Sequence, residues 1–63
     1  MKTQTKLARV RDKRGLSQRA LAKLSNVGYV TIARIEMERI DPRVSTLKAL
    51  AKALKVKVSE LVD

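Results

Sequence analysis

Near the middle of the chain, Asn26-Val27-Gly28 interrupts an apolar repeat that runs at helical spacing on both sides. That interruption limits the fold more than any other feature. Before it, Leu21, Ala22 and Leu24 recur with the period of a helix, and after it Ile32 and Ile35 share one face. Ser17 is suited to cap the first of these helices, with Leu16 placed to pack back onto its first turn. Asparagine and glycine accept left-handed or irregular backbone, whereas Val27 between them is apolar and is expected to point inward. So short a break makes two helices, at residues 18–25 and 29–37, cross sharply. Ala22 is small enough to let the second pass closely over the first.

The flanking sequence predicts more helix and no strand. A first helix over residues 5–14 turns Leu7 and Val10 inward and Lys6, Arg9, Lys13 and Arg14 outward, and Gly15 stops it. Residues 38–43 read as a loop, because Pro42 biases Asp41 away from helical backbone. A fourth helix over residues 44–54 carries an apolar stripe of Val44, Leu47, Leu50, Ala51 and Leu54. A fifth, very short one is expected near residues 58–62. The fold class is therefore all-α: a compact bundle of five short helices forming one domain over residues 1–63. A chain of this length buries only about 60% of its unfolded surface, so its stability should be modest.

Composition narrows the chemistry. The apolar residues are aliphatic apart from one tyrosine, and their runs are too short to span a membrane. The first six residues lack the apolar stretch of a signal peptide, which points to the cytoplasm. The chain has no cysteine and no histidine. That excludes disulfides and thiolate metal sites and removes the usual general base and zinc ligand. No paired carboxylates or activated serine stand out, so the reading is a non-enzyme without metal, cofactor or small-molecule substrate. Fifteen Lys or Arg against six Asp or Glu give a formal charge of +9. By itself this fits either a solvated surface or a polyanion-binding footprint.

Two short helices around a tight turn, the second able to enter a DNA major groove, form a helix-turn-helix. The segment resembles the phage repressor and Cro-like (lambda repressor-like) helix-turn-helix family, whose pattern runs roughly L-S-Q-x-x-L-A-x-x-x-G-V-S-x-x-x-I-x-x-I-E. Leu16-Ser17-Gln18, Leu21-Ala22, Val27, Ile32 and Ile35-Glu36 stand at the matching positions. The likeness continues through Arg11 upstream and Pro42, Leu47, Leu50-Ala51, Leu54, Val56 and Leu61 downstream, and so covers nearly the whole chain. It implies a bacterial or phage-encoded, nucleoid-associated transcriptional regulator, expected to be a repressor. Such a protein binds palindromic operators in double-stranded DNA as a two-fold dimer.

On the third helix, Tyr29, Ala33 and Met37 are spaced by four, as are Val30 and Arg34, opposite Ile32 and Ile35. The resemblance implies base contacts from Tyr29, Val30 and Arg34, with Ala33 close by. Arg34 suits the O6 and N7 of guanine, while Val30 and Ala33 suit a thymine methyl. The plainer alternatives are an Arg34 ion pair with Glu38 and partial burial of Val30. Ser17, Gln18, Thr31, Arg39 and Arg43 are the implied phosphate contacts, with Gln18 also bracing the recognition helix. Arg11 and Glu36 match a structural salt bridge between the first and third helices. The family's usual glycines are replaced by Asn26, Glu38 and Lys55, and the last two would cost about 1–2 kcal/mol each if those helix ends need positive φ. Gly28 stands where a Ser or Thr cap is usual. An antitoxin binding both operator DNA and a toxin protein is the alternative function. An RNA-binding domain is a third, though it would call for stacking aromatics beyond Tyr29. Residues 56–62 are the expected surface for a weak homodimer that becomes cooperative on DNA.

Overall fold

In the computed structural model, which describes residues 4–62, the chain forms four α-helices and one turn of 3-10 helix. These are α1 (Lys6–Lys13), α2 (Gln18–Ser25), α3 (Tyr29–Glu36) and α4 (Val44–Leu54), followed by the 3-10 turn Val58–Glu60. Residues 1–3, part of the segment read as lacking a leader, and Asp63 lie outside the described residues. There is no strand among the described residues, and none of their helices is long and apolar enough to cross a membrane.

The expected count of five helices is corrected to four. The fifth is a single turn closed by short-range bonds, from Glu60 N–H to the Lys57 carbonyl (3.0 Å) and Leu61 N–H to the Val58 carbonyl (2.9 Å). The Glu60 carboxylate accepts from the Lys57 N–H at 2.9 Å, which closes the turn on itself. An i→i+3 pattern this short has no room to relax into α-helix. The first helix is also shorter than expected. Thr5 is its cap rather than its first residue, with its hydroxyl accepting from Ala8 N–H at 3.1 Å.

Each helix ends on a residue with left-handed backbone: Gly15 (φ +69°), Asn26 (+60°), Glu38 (+59°) and Lys55 (+58°). At Gly15, Glu38 and Lys55 the terminus carries the paired bonds of a Schellman motif. Leu16 N–H reaches the Arg11 carbonyl at 3.2 Å, Arg39 N–H that of Arg34 at 2.9 Å, and Val56 N–H that of Ala51 at 3.0 Å. Asn26 makes the single bond of the simpler left-handed cap, to the Ala22 carbonyl at 2.9 Å. Only one of the four terminators is glycine.

The core is aliphatic throughout: Leu7, Leu21, Ile32, Ile35, Leu47, Leu50, Ala51, Leu54 and Leu61. Leu16, Ala22 and Val27 pack against it, so Val27 does turn inward at the α2–α3 junction. Helix α2 lies centrally, against both α3 and α4, and the 3-10 turn rests on α4 and α1. Two residues read as part of the apolar faces are exposed, Leu24 at 62% and Val44 at 65%. The covered side of α2 runs through Leu21, Gln18, Ala22 and Ser25, which leaves Leu24 on its rim. Val44 has the right angle but stands at the first residue of α4, a full turn before buried Leu47.

Candidate nucleic-acid interface

The position of α3 is set from its inner side. Ile32 and Ile35 are buried in the core, and Glu36, at the last residue of the helix, receives three donors. Arg11 Nε donates to Glu36 Oε2 at 2.7 Å and Nη2 to Oε1 at 3.0 Å, a bidentate pair. Gln18 Nε2 adds a third bond to Oε1 at 3.0 Å. Arg11 Nη1 also donates to the Leu16 carbonyl at 2.7 Å. The two charged side chains retain only 13% and 7% of their exposure. The Glu36 hydrogen bond raises the Arg11 pKa above its already high ordinary value. The network thus ties α1, the α2 N-terminus and α3 together. Planar, two-pronged pairing fixes direction as well as distance, which is what arginine supplies and lysine does not.

At the α2 N-terminus, the Ser17 hydroxyl accepts from Ala20 N–H at 3.0 Å. Leu16 packs onto the core beneath it, as a hydrophobic staple would. Gln18 is partly buried, because its amide is turned to Glu36. Gln18 thus bonds to the last residue of α3, on the same carboxylate that takes the Arg11 contact between α1 and α3.

The outer side of α3 is open. Tyr29, Val30 and Met37 keep 40%, 56% and 61% of their exposure, and Arg34 is exposed, while Ala33 is half-buried. A shallow groove is lined by Val30, Ala33, Arg34, Met37, Arg39 and Ile40. It brings three of the expected base-reading residues together with one expected phosphate contact. A second concavity joins Ser17, Gln18 and Tyr29 with Arg11 and Arg19. Arg43 lines neither; it caps α4, whose N-terminus has no side-chain cap bond and no acidic residue in its first turn. The first backbone N–H groups of α4 therefore remain available to an anion. Thr31 is half-buried, its hydroxyl beside Gly28.

Three residues at this surface were not singled out by the sequence as contacts: Met37, Ile40 and Arg19. Met37 was legible from the spacing of four that it shares with Tyr29 and Ala33. Ile40 was legible only as the one apolar residue in a charged loop. Arg19 becomes visible when the fold sets its guanidinium over the Tyr29 ring, 4.7 Å from the centroid. Among the described residues no group of histidine, cysteine or carboxylate side chains could hold a metal ion.

The pattern that defines the family described as Helix-turn-helix matches residues 3–61. Among curated proteins, the HTH-type transcriptional regulator PuuR of Escherichia coli (strain K12) is 38% identical over 55 residues, covering 87% of this chain and 30% of that protein. The immunity repressor protein of Bacillus phage phi105 is 42% identical over 53 residues, covering 84% and 37%. The chain thus spans about a third of the length of these curated relatives. Among solved structures, the restriction-modification controller protein C.AhdI from Aeromonas hydrophila superposes with a TM-score of 0.85 at 30% identity, covering 89% of this chain and 85% of that one.

Proposed function

This chain belongs to the helix-turn-helix family, and on that footing we propose that it binds double-stranded DNA sequence-specifically and regulates transcription, most simply as a repressor. Helix α3 enters the major groove with Tyr29, Val30, Ala33 and Arg34 toward base edges. One observation carries the reading: the inner side of α3 is locked by core and ion pair while its outer side exposes Tyr29, Val30 and Arg34, with Ala33 half-buried among them. Arg34 offers a bidentate donor to guanine, and Val30 and Ala33 offer apolar contact to a thymine methyl. Ser17, Gln18, Thr31, Arg39 and Arg43, with the uncapped start of α4, grip phosphates and set register without reading sequence. The Gln18 amide has a second hydrogen for that purpose beyond the one on Glu36. The +9 charge speeds encounter and adds non-specific affinity.

The cytoplasm is where such a protein meets its operator. The relatives named above are regulators and a repressor, which favours regulation over an antitoxin role. Pairing on a palindrome would use the C-terminal end. There Val62 and Ile40 edge a groove that also includes Leu7, Ile35 and Leu61. So small an apolar surface supports weak self-association, with cooperativity supplied by adjacent half-sites about 34–36 Å apart. A tight dimer in sedimentation without DNA would contradict this.

The deciding experiment selects a duplex from a random double-stranded pool, then compares binding of the winner and a scrambled duplex across a salt series. A palindromic winner preferred by about a thousandfold or more is expected. Equal affinity with equally steep salt dependence for both duplexes would reduce the protein to a polyanion binder.

A further inference from the structure

Arg19 belongs to α2, outside the recognition helix, yet its guanidinium lies over the ring of Tyr29, the first residue of α3. Tyr29 is the chain's only aromatic side chain. It stands at the first turn of α3 with 40% of its surface exposed. The contact on its face comes from the neighbouring helix, through Arg19. A guanidinium over an aromatic face is held by the ring's quadrupole, and its flat, weakly hydrated shape suits stacking. The pair forms a partition at the front of the motif. On one side lies the concavity with Ser17 and Gln18, and on the other a groove with Ala22, Lys23, Asn26 and Val27; both Arg19 and Tyr29 line each.

We infer that Arg19 is a positioning residue for base recognition, holding the Tyr29 ring so that its remaining surface and hydroxyl meet one base pair in a single orientation. The inference rests on the reading of α3 as the major-groove helix. Discrimination at that base pair then belongs to α2 and α3 jointly. Ordering the ring before binding removes a cost that a free side chain would meet on the DNA.

The test uses Arg19→Ala, Tyr29→Ala and the double variant, on the selected duplex and its single-base variants across a salt series, with Arg34→Ala as reference. Arg19→Ala is expected to relax preference at the same base pair as Tyr29→Ala, by about two- to fivefold, the strength of an exposed cation–π pair. The double variant should lose no more discrimination there than Tyr29→Ala alone. Uniform weakening on every duplex, with additive losses and a salt slope lower by about one, would make Arg19 a phosphate contact and overturn the inference. Wild-type protein that prefers no duplex, with Arg34→Ala equally indifferent, would remove the DNA-reading function and this inference with it. Intact wild-type selectivity with additive variants would remove the inference alone. A DNA-free measurement stands beside these. The Tyr29 ring protons are the only aromatic side-chain resonances in the NMR spectrum, and Arg19→Ala should shift them. Unchanged ring resonances would overturn the positioning role.

Discussion

Replacing Lys55 by glycine is expected to make the protein more stable although it removes a side chain. Lys55 closes α4 with φ +58°, where a Cβ crowds the following carbonyl. That conformation costs a non-glycine residue about 1–2 kcal/mol. Glycine's wider freedom in the unfolded chain takes back about 0.5–1 kcal/mol. The balance is a gain of about 0–1.5 kcal/mol, and its centre at about 0.7 kcal/mol raises Tm by about 3–6 °C for a chain of this size. The Lys55 side chain is exposed, and the carbonyl that accepts Arg14 Nη2 at 3.4 Å is backbone, which the substitution keeps. Gly15→Ala runs the same experiment in reverse. The backbone there has φ +69° and a Cβ would meet nothing within 4 Å, so any loss comes from conformation and not from a clash. Thermal and urea unfolding followed by circular dichroism should give changes of opposite sign and similar size. A fall in Tm for Lys55→Gly, or a rise for Gly15→Ala, would refute the reasoning.

Glu36→Ala should cost about 3 kcal/mol, because it takes the bidentate partner from a largely buried Arg11 and leaves it only the more exposed Asp12 carboxylate at 3.3 Å and the Leu16 carbonyl; denaturant unfolding checks this, and a loss under about 1 kcal/mol would mean the pair behaves as if solvated. Because the hydrogen bond to Glu36 raises the Arg11 pKa, the stability Arg11 contributes is fully present below its ordinary value and lost only as pH rises through the raised one; unfolding free energy should show no loss from this group between neutral and about pH 10. Arg34→Ala should relax preference at one base position by about 1–3 kcal/mol, whereas Gln18→Ala should weaken all duplexes alike; equal losses for Arg34→Ala on selected and scrambled DNA would contradict base reading. Gly28→Ser should add a few tenths of a kcal/mol by supplying the missing cap hydroxyl, since a side chain there meets Thr31 only at ordinary contact distance; a lower Tm would show that the hydroxyl does not reach the helix start.

What could be read from the sequence depended on whether a local rule acted alone. Helices α2 and α4 have the bounds expected of them, because Ser17, Asn26 and Pro42 mark their ends through backbone chemistry that needs no partner. Leu24 and Val44 fit the helical repeat and still lie outside the core, since a repeat gives an angle around the axis and not the reach of neighbouring elements. The 3-10 turn has the apolar residues of a helix without the length to close its bonds. Arg11 and Glu36 could be paired only through the family resemblance, being far apart in sequence. The Gln18–Glu36 bond and the Arg19–Tyr29 contact depend on side-chain directions that only the packed α2–α3 crossing creates.

The division of α3 into a locked inner side and an open outer side has an evolutionary consequence. Ile32, Ile35 and Glu36 hold the helix in place, whereas Val30 and Arg34 are exposed and stand outside the core cluster. Surface substitutions away from caps and core usually change stability by no more than about 0.5 kcal/mol. Residues on the outer face can therefore drift, and on the proposed reading of α3 as the major-groove helix a lineage can acquire new target sites without passing through unfolded intermediates. Tyr29 is the exception, because its ring is tied to Arg19 on the adjacent helix. On the proposed reading, targets that depend on Tyr29 should change only when both residues change, which would make it the slowest part of that surface to diverge.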